Sequence, residues 1–74
     1  AGAIVDEESR RVVAAIQTLD EDHRTVIRLV DWEGLSFADA GARMQRSADA
    51  ARMLYGRALA RLTDLLAERE SREG

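Results

Sequence analysis

The chain has 74 residues, a formal net charge of −3, one histidine, and neither cysteine nor lysine, so it lacks disulfides, thiolate metal ligands and most nucleophiles. We therefore predict one small domain that is not an enzyme and has no cofactor, no metal site and no small-molecule substrate. Its apolar runs are shorter than the roughly 20 residues that cross a bilayer and no signal-peptide pattern opens it, which predicts a cytoplasmic protein without a membrane partner.

Apolar residues recur at helical spacing along almost the whole chain and predict four helices. The first spans about 6–19 and the second about 21–33. The acidic run 20–22 suits a helix start, where the helix dipole favours negative charge. Gly34 suits the C-terminal end of the second helix, because glycine readily adopts a positive φ. Trp32, the only tryptophan, is expected to pack against the core at the end of this helix.

Two serines predict the starts of the remaining helices, because serine is a favoured N-cap. Ser36 precedes a third helix over about 37–44, and Ser47 precedes a fourth over about 48–66. The tail 67–74 loses the apolar spacing and is expected to fray. The pattern predicts an all-α fold, a compact four-helix domain that contains a helix-turn-helix and has a long C-terminal recognition helix.

The charges are unevenly distributed along the chain. Residues 1–40 hold nine acids against four arginines, whereas residues 41–62 hold five arginines against Asp49 alone. An arginine can bind a phosphate or a guanine through two parallel hydrogen bonds. The small residues Ala40 and Gly41 would let the third and fourth helices cross closely, as in motifs whose second helix enters the major groove. The pattern alone also fits an ordinary helical bundle.

The stretch from Leu19 to Leu66 resembles region 4 of sigma-70-type factors, especially the extracytoplasmic-function group. The resemblance runs without a gap. The matching residues are Gly34-Leu35-Ser36-Phe37, Asp39, Ser47, Arg52, Tyr55, Arg57-Ala58, Leu62 and Leu65-Leu66. It implies that the chain is the C-terminal domain of an RNA polymerase sigma factor. Because the chain begins Ala1-Gly2-Ala3 without a methionine, we expect a fragment of a longer sigma factor.

The chain departs from the family pattern around the turn of the motif. Gln45 stands where the family usually has a glycine, so a residue with a side chain is expected to adopt a positive φ there. Arg46 replaces an apolar residue. Ala40 and Ala51 replace larger branched residues, which thins the packing between the two motif helices. Leu54 stands where the family often has an arginine.

The resemblance implies that the fourth helix binds the minus-35 element of double-stranded promoter DNA. Arg52 is the best candidate for a base contact, and Arg43, Arg46 and Arg57 are candidates for phosphate contacts, which position a protein without reading sequence. Ser47 and the N–H groups after it could hold a phosphate at the helix start. The exposed side chains that would face the groove are Ala48, Asp49, Arg52, Met53 and Gly56.

Other interpretations remain open at this point. Family members dock on the β-subunit flap of the RNA polymerase core, which the resemblance assigns to exposed apolar parts of the first two helices, and an anti-sigma factor is a further candidate partner. In a second hypothesis the domain is mainly such a protein-docking module and binds DNA weakly. A third is a response-regulator output domain, although the lysine-rich recognition helix usual there is missing. Arg52 could also be a solvated arginine, and Arg57 could pair with Asp64.

Overall fold

The computed structural model describes residues 7–73, with the side chains of residue 8 and of residues 69–73 left out of the description. These residues form helices and connecting turns, and none of them lies in a strand. The helices are α1 (Glu7–Gln17), α2 (Glu21–Ile27, continued by the π-helical segment Arg28–Trp32), α3 (Phe37–Arg43) and α4 (Ala48–Glu73). The all-α prediction and the predicted helix-turn-helix are confirmed.

Local sequence signals account for the helix boundaries. The hydroxyl of Ser36 accepts a hydrogen bond from the Asp39 N–H at 3.1 Å, which caps α3. The hydroxyl of Ser47 accepts one from the Ala50 N–H at 3.0 Å, which caps α4. Gly34 ends the second helix with φ +70°, a conformation that costs glycine little. The predicted caps at these three positions are confirmed.

The core lies between α4 and the first two helices. Val26, Ile27 and Leu29 of the second helix are buried, as are the alanines Ala51 and Ala58 of α4. Half-buried side chains, Leu54, Tyr55, Leu62 and Leu65, complete the packing from α4. Burying this apolar face is what fixes α4 against the rest of the chain, since helices of this size gain most of their stability from packing.

Two predicted helix ends were wrong. The first helix ends at Gln17 rather than 19, because the chain tightens there: the Leu19 N–H donates to the Ile16 carbonyl, 3.0 Å away. The last helix extends to Glu73 rather than ending at about 66. Segment 67–73 contains neither glycine nor proline and is rich in glutamate and arginine, which have high helix propensity, so the helix continues after its apolar spacing ends. Residues 6 and 74 of the predicted ranges lie outside the described residues.

The expected packing of Trp32 was also wrong, because 59% of this side chain is exposed. The reason is the π-helical geometry of Arg28–Trp32. A π-helical turn holds more residues than an α-helical turn, so Trp32 is rotated away from the buried face that carries Leu29. The Leu35 N–H donates to the Leu29 carbonyl at 2.9 Å and closes this widened end.

Candidate nucleic-acid interface

The turn between α3 and α4 is a Schellman motif, in which a helix ends on a residue in the left-handed conformation. Gln45 is that residue, with φ 59°. The Arg46 N–H donates to the Gly41 carbonyl at 2.7 Å, and the Gln45 N–H donates to the Ala42 carbonyl at 3.3 Å. The positive φ predicted from the missing turn glycine is therefore confirmed. The motif redirects the chain so that α4 starts at Ala48, three residues after Gln45.

Gly41 lets α3 approach the start of α4 closely. A Cβ atom at this position would lie 2.7 Å from the Arg46 carbonyl oxygen and 2.8 Å from that of Ser47, both of which are backbone atoms. Ala40 beside it is fully buried. The close crossing predicted from these two small residues is confirmed, and it fixes the angle at which α4 leaves the turn.

The recognition helix has one buried face and one exposed face. Ala51 and Ala58 are fully buried, and the residues exposed between them belong to the opposite side of the helix. All nine predicted site residues are exposed and lie at the end of α3, in the turn and on this face of α4: Arg43, Arg46, Ser47, Ala48, Asp49, Arg52, Met53, Gly56 and Arg57. Met53 is an apolar side chain that is 54% exposed. The face is available to a ligand.

The start of α4 offers backbone donors to an anion. The Ser47 hydroxyl is occupied by the Ala50 N–H, and the Ala51 N–H donates to the Ser47 carbonyl. The first two N–H groups of the helix, those of Ala48 and Asp49, have no partner within the helix. Helix N-termini of this kind bind phosphate through such groups. This end of the helix is thus suited to an anion such as a phosphate.

Two arginines near the turn are paired with carboxylates that lie far away in the sequence. Arg46 Nη2 lies 2.6 Å from Asp22 Oδ2, across 24 positions. Arg43 Nη1 lies 3.9 Å from Glu33 Oε1, and Glu33 also accepts a hydrogen bond from Arg28. Sequence reasoning missed these contacts, because periodicity carries no information about such distant pairs. The acidic run that includes Asp22 indicated only a helix start.

The arginines further along α4 are less constrained. Arg52 Nη2 lies 3.8 Å from Asp49 Oδ1, on the preceding turn of the same helix. Arg57 and Arg61 have no ion pair with any described side chain, and the alternative in which Arg57 pairs with Asp64 is not observed. These guanidinium groups are free to meet an external anion.

Tyr55 connects the recognition helix to the second helix. Its hydroxyl donates a hydrogen bond to Asp31 Oδ1 at 2.7 Å, and its ring lies 5.6 Å from that of Phe37, centroid to centroid. The hydrogen bond to Asp31, partial burial and the negative charge of Asp31 together raise the pKa of the Tyr55 phenol. Tyr55 is thus half-buried, with its ring against Phe37 and its hydroxyl bonded to the carboxylate of Asp31.

Comparison with protein families gives a match to sigma-70, region 4, over residues 15–64, which is more than half of the chain. The chain belongs to the sigma-70 region 4 family. The matched segment begins at the end of α1, contains the whole helix-turn-helix and stops within α4. No curated protein and no solved structure matches the chain at a significant level.

Membership of this family makes the chain a DNA-binding domain of a sigma factor. The family works with RNA polymerase in transcription and is not a family of enzymes. Within residues 7–73, no cluster of acidic, histidine or cysteine side chains could hold a metal ion. No helix in the same part of the chain is long and apolar enough to span a bilayer.

Proposed function

We propose that this region 4 domain recognises the minus-35 promoter element by placing α4 in the major groove. The observation that carries the proposal is the exposed face of α4, which begins at a capped helix end and is bordered by arginines on the turn and along the helix. A major groove accommodates one α-helix, and helix-turn-helix proteins present the N-terminal part of the second helix to it. Promoter recognition requires the protein to be in the cytoplasm, with the chromosome and the polymerase. Assignment to the extracytoplasmic-function group stays a prediction.

Arg52 and Asp49 form the base-reading pair of this proposal. Both side chains are exposed and lie on successive turns of α4, 3.8 Å apart. An arginine binds guanine O6 and N7 through two hydrogen bonds, and a carboxylate accepts one from the amino group of cytosine. The pair therefore favours a site with a guanine and a nearby cytosine. Met53 and Gly56 complete the surface with an apolar side chain and with room for close approach of a base edge.

Phosphate contacts flank this pair. Arg43 lies at the end of α3, Arg46 in the turn before α4 and Arg57 further along α4, and we assign all three to phosphates of the DNA backbone. The helix start itself, with Ser47 as N-cap, adds backbone donors. These contacts give affinity and register, whereas base contacts give sequence preference.

A groove between α1 and α2 is our candidate for docking on the RNA polymerase core, through the flap of its β subunit. It has a volume of about 480 Å³, and its lining includes Val13, Ile16, Thr25 and Trp32. Val13 is 42% exposed and Trp32 is 59% exposed, so two large apolar side chains are open to a partner. Exposed tryptophan in a groove is a frequent anchor of protein interfaces.

A second candidate function is a protein-docking module of the same fold, bound to polymerase or to an anti-sigma factor, with weak DNA contact. The apolar groove and the internal pairing of Arg43 and Arg46 favour it. The two functions differ in what the recognition helix does. In the first function, α4 determines the sequence preference for DNA. In the second, protein partners bind α1 and α2, so substitutions in α4 have little effect on partner binding.

Salt-titrated binding to promoter-like and random duplexes separates the two functions. We expect binding at low salt that weakens steeply as salt rises, because phosphate contacts release counterions. Arg52→Ala should lose the preference for the promoter-like duplex. Arg61→Ala, which removes the same charge from another exposed position of α4, should retain it. Absence of DNA binding at low salt, together with tight binding of a flap fragment, would exclude the first function in favour of the second.

A further inference from the structure

Arg46 is held by a carboxylate at the place where the proposed interface begins. It precedes the N-cap Ser47, and its guanidinium lies 2.6 Å from the carboxylate of Asp22 at the start of α2. The Arg46 side chain is 38% exposed and that of Asp22 is 59% exposed. A hydrogen bond between two charged groups is among the stronger ones. Because both side chains are partly exposed, a phosphate can also reach the guanidinium of Arg46.

A phosphate that binds Arg46 meets this carboxylate. Either the phosphate replaces Asp22 at the guanidinium, and the pair is lost, or both anions share the guanidinium and repel each other at short range. In both cases the carboxylate reduces the net gain from the phosphate contact. Glu33 forms a longer ion pair with Arg43, at 3.9 Å, and also accepts a hydrogen bond from Arg28.

We propose that Asp22 is an internal competitor of DNA phosphate for Arg46 and that it lowers the affinity of the domain for every duplex without changing its sequence preference. The proposal rests on the proposed DNA-binding function. It differs from a positioning role, in which Asp22 would orient Arg46 for phosphate and would raise affinity. Because phosphate contacts carry no sequence information, competition at Arg46 changes the binding of random and promoter-like duplexes by the same factor.

The test compares Asp22→Asn with Asp20→Asn at low salt on both duplexes. The control removes one negative charge two residues away, from a side chain that neither caps α2 nor pairs with a described arginine. We expect Asp22→Asn to tighten binding to both duplexes by roughly three- to fivefold, the size of an exposed ion pair, and Asp20→Asn to have a clearly smaller effect. Circular dichroism and thermal unfolding establish that both variants are folded, which their exposed positions favour.

A double-mutant cycle with Arg46→Gln assigns the effect to the pair. In the Arg46→Gln background, Asp22→Asn should no longer tighten binding, since the competitor has lost its target. Weaker or unchanged binding of Asp22→Asn would overturn the proposal, as would an equal effect of Asp20→Asn or a gain that persists without Arg46. If the wild type binds promoter-like and random duplexes equally well, the proposed promoter recognition is contradicted. The comparison of Asp22→Asn with Asp20→Asn still tests the competition at Arg46. If neither the wild type nor Asp22→Asn binds any duplex, both proposals fail.

Discussion

The phenol of Tyr55, in the N-terminal third of α4, donates a hydrogen bond to Asp31 in the π-helical end of α2, 2.7 Å away. The two residues are 24 positions apart, so the bond joins separate elements rather than neighbouring turns. Together with the ring contact between Tyr55 and Phe37, it ties α4 to the segments that precede and begin α3. The orientation of the recognition helix therefore depends on this contact as well as on apolar burial.

Tyr55→Phe removes the hydroxyl and keeps the ring. We expect a loss of about 1 kcal/mol in the free energy of unfolding, the typical net value of one hydrogen bond. Chemical denaturation followed by circular dichroism measures it. Asp31→Ala is the matched change on the acceptor side, because it removes both carboxylate oxygens. If the bond acts as a pair, the double variant should lose less than the sum of the two single losses. Additive losses would show that the two groups stabilise the domain independently.

Stability should also decrease at high pH through Tyr55. The pKa of its phenol is raised in the folded protein, so the fold favours the neutral form. The corresponding stability is fully present below the unfolded pKa of about 10 and is lost as pH rises through the higher folded pKa. Tyr55 is the only tyrosine, and the chain has neither lysine nor cysteine, so no other side chain titrates in this window. Phenolate absorbance should titrate above pH 10 in the folded domain, and Tyr55→Phe should abolish the accompanying fall in thermal midpoint.

Much of the fold could be predicted because its signals are local. Serine caps, the glycine at position 34 and helical spacing determine where helices begin and end, and each acts within a few residues. The exposed face of α4 follows from the same spacing. The pairs between Asp22 and Arg46 and between Asp31 and Tyr55 could not be predicted, since each joins residues 24 positions apart through tertiary structure. The exposure of Trp32 depends on a π-helical turn for which the sequence carries no recognised signal.

Gly41→Ala should destabilise the helix-turn-helix. The added Cβ would lie 2.7 Å from a backbone oxygen of the turn, so α3 and the start of α4 must move apart. We expect a loss of about 2 kcal/mol, within the range for overpacking a close contact. Gly56→Ala is the matched control, because a Cβ there meets nothing within 4 Å. On an exposed helix position it should stabilise the domain by about 0.5–1 kcal/mol. Thermal unfolding of the two variants compares them directly, and equal effects would contradict the close approach.

Gln45→Gly should stabilise the domain. Gln45 adopts φ 59°, which is unfavourable for a residue with a Cβ and readily accessible to glycine. We expect a gain of about 1 kcal/mol in the free energy of unfolding, after the extra flexibility of glycine in the unfolded chain is subtracted. The free energy of unfolding of Gln45→Asn should lie between those of the wild type and Gln45→Gly, because asparagine tolerates this conformation better than most residues. A lower stability of the glycine variant would show that the Gln45 side chain contributes more than its backbone strain costs.

Trp32→Ala should weaken docking to the polymerase flap and leave the stability of the domain almost unchanged. The side chain is 59% exposed, so truncation creates little cavity, whereas it removes the largest apolar surface of the groove. Because Trp32 is the only tryptophan, its fluorescence reports directly on this site. The free domain should emit as an exposed indole, and a β-flap fragment should shift the emission to shorter wavelength as the ring is buried. Val13→Ala, on the other wall of the groove, should weaken the same binding, while Arg52→Ala should not affect it. Binding of the flap fragment without a change in emission would place the docking surface elsewhere on the domain.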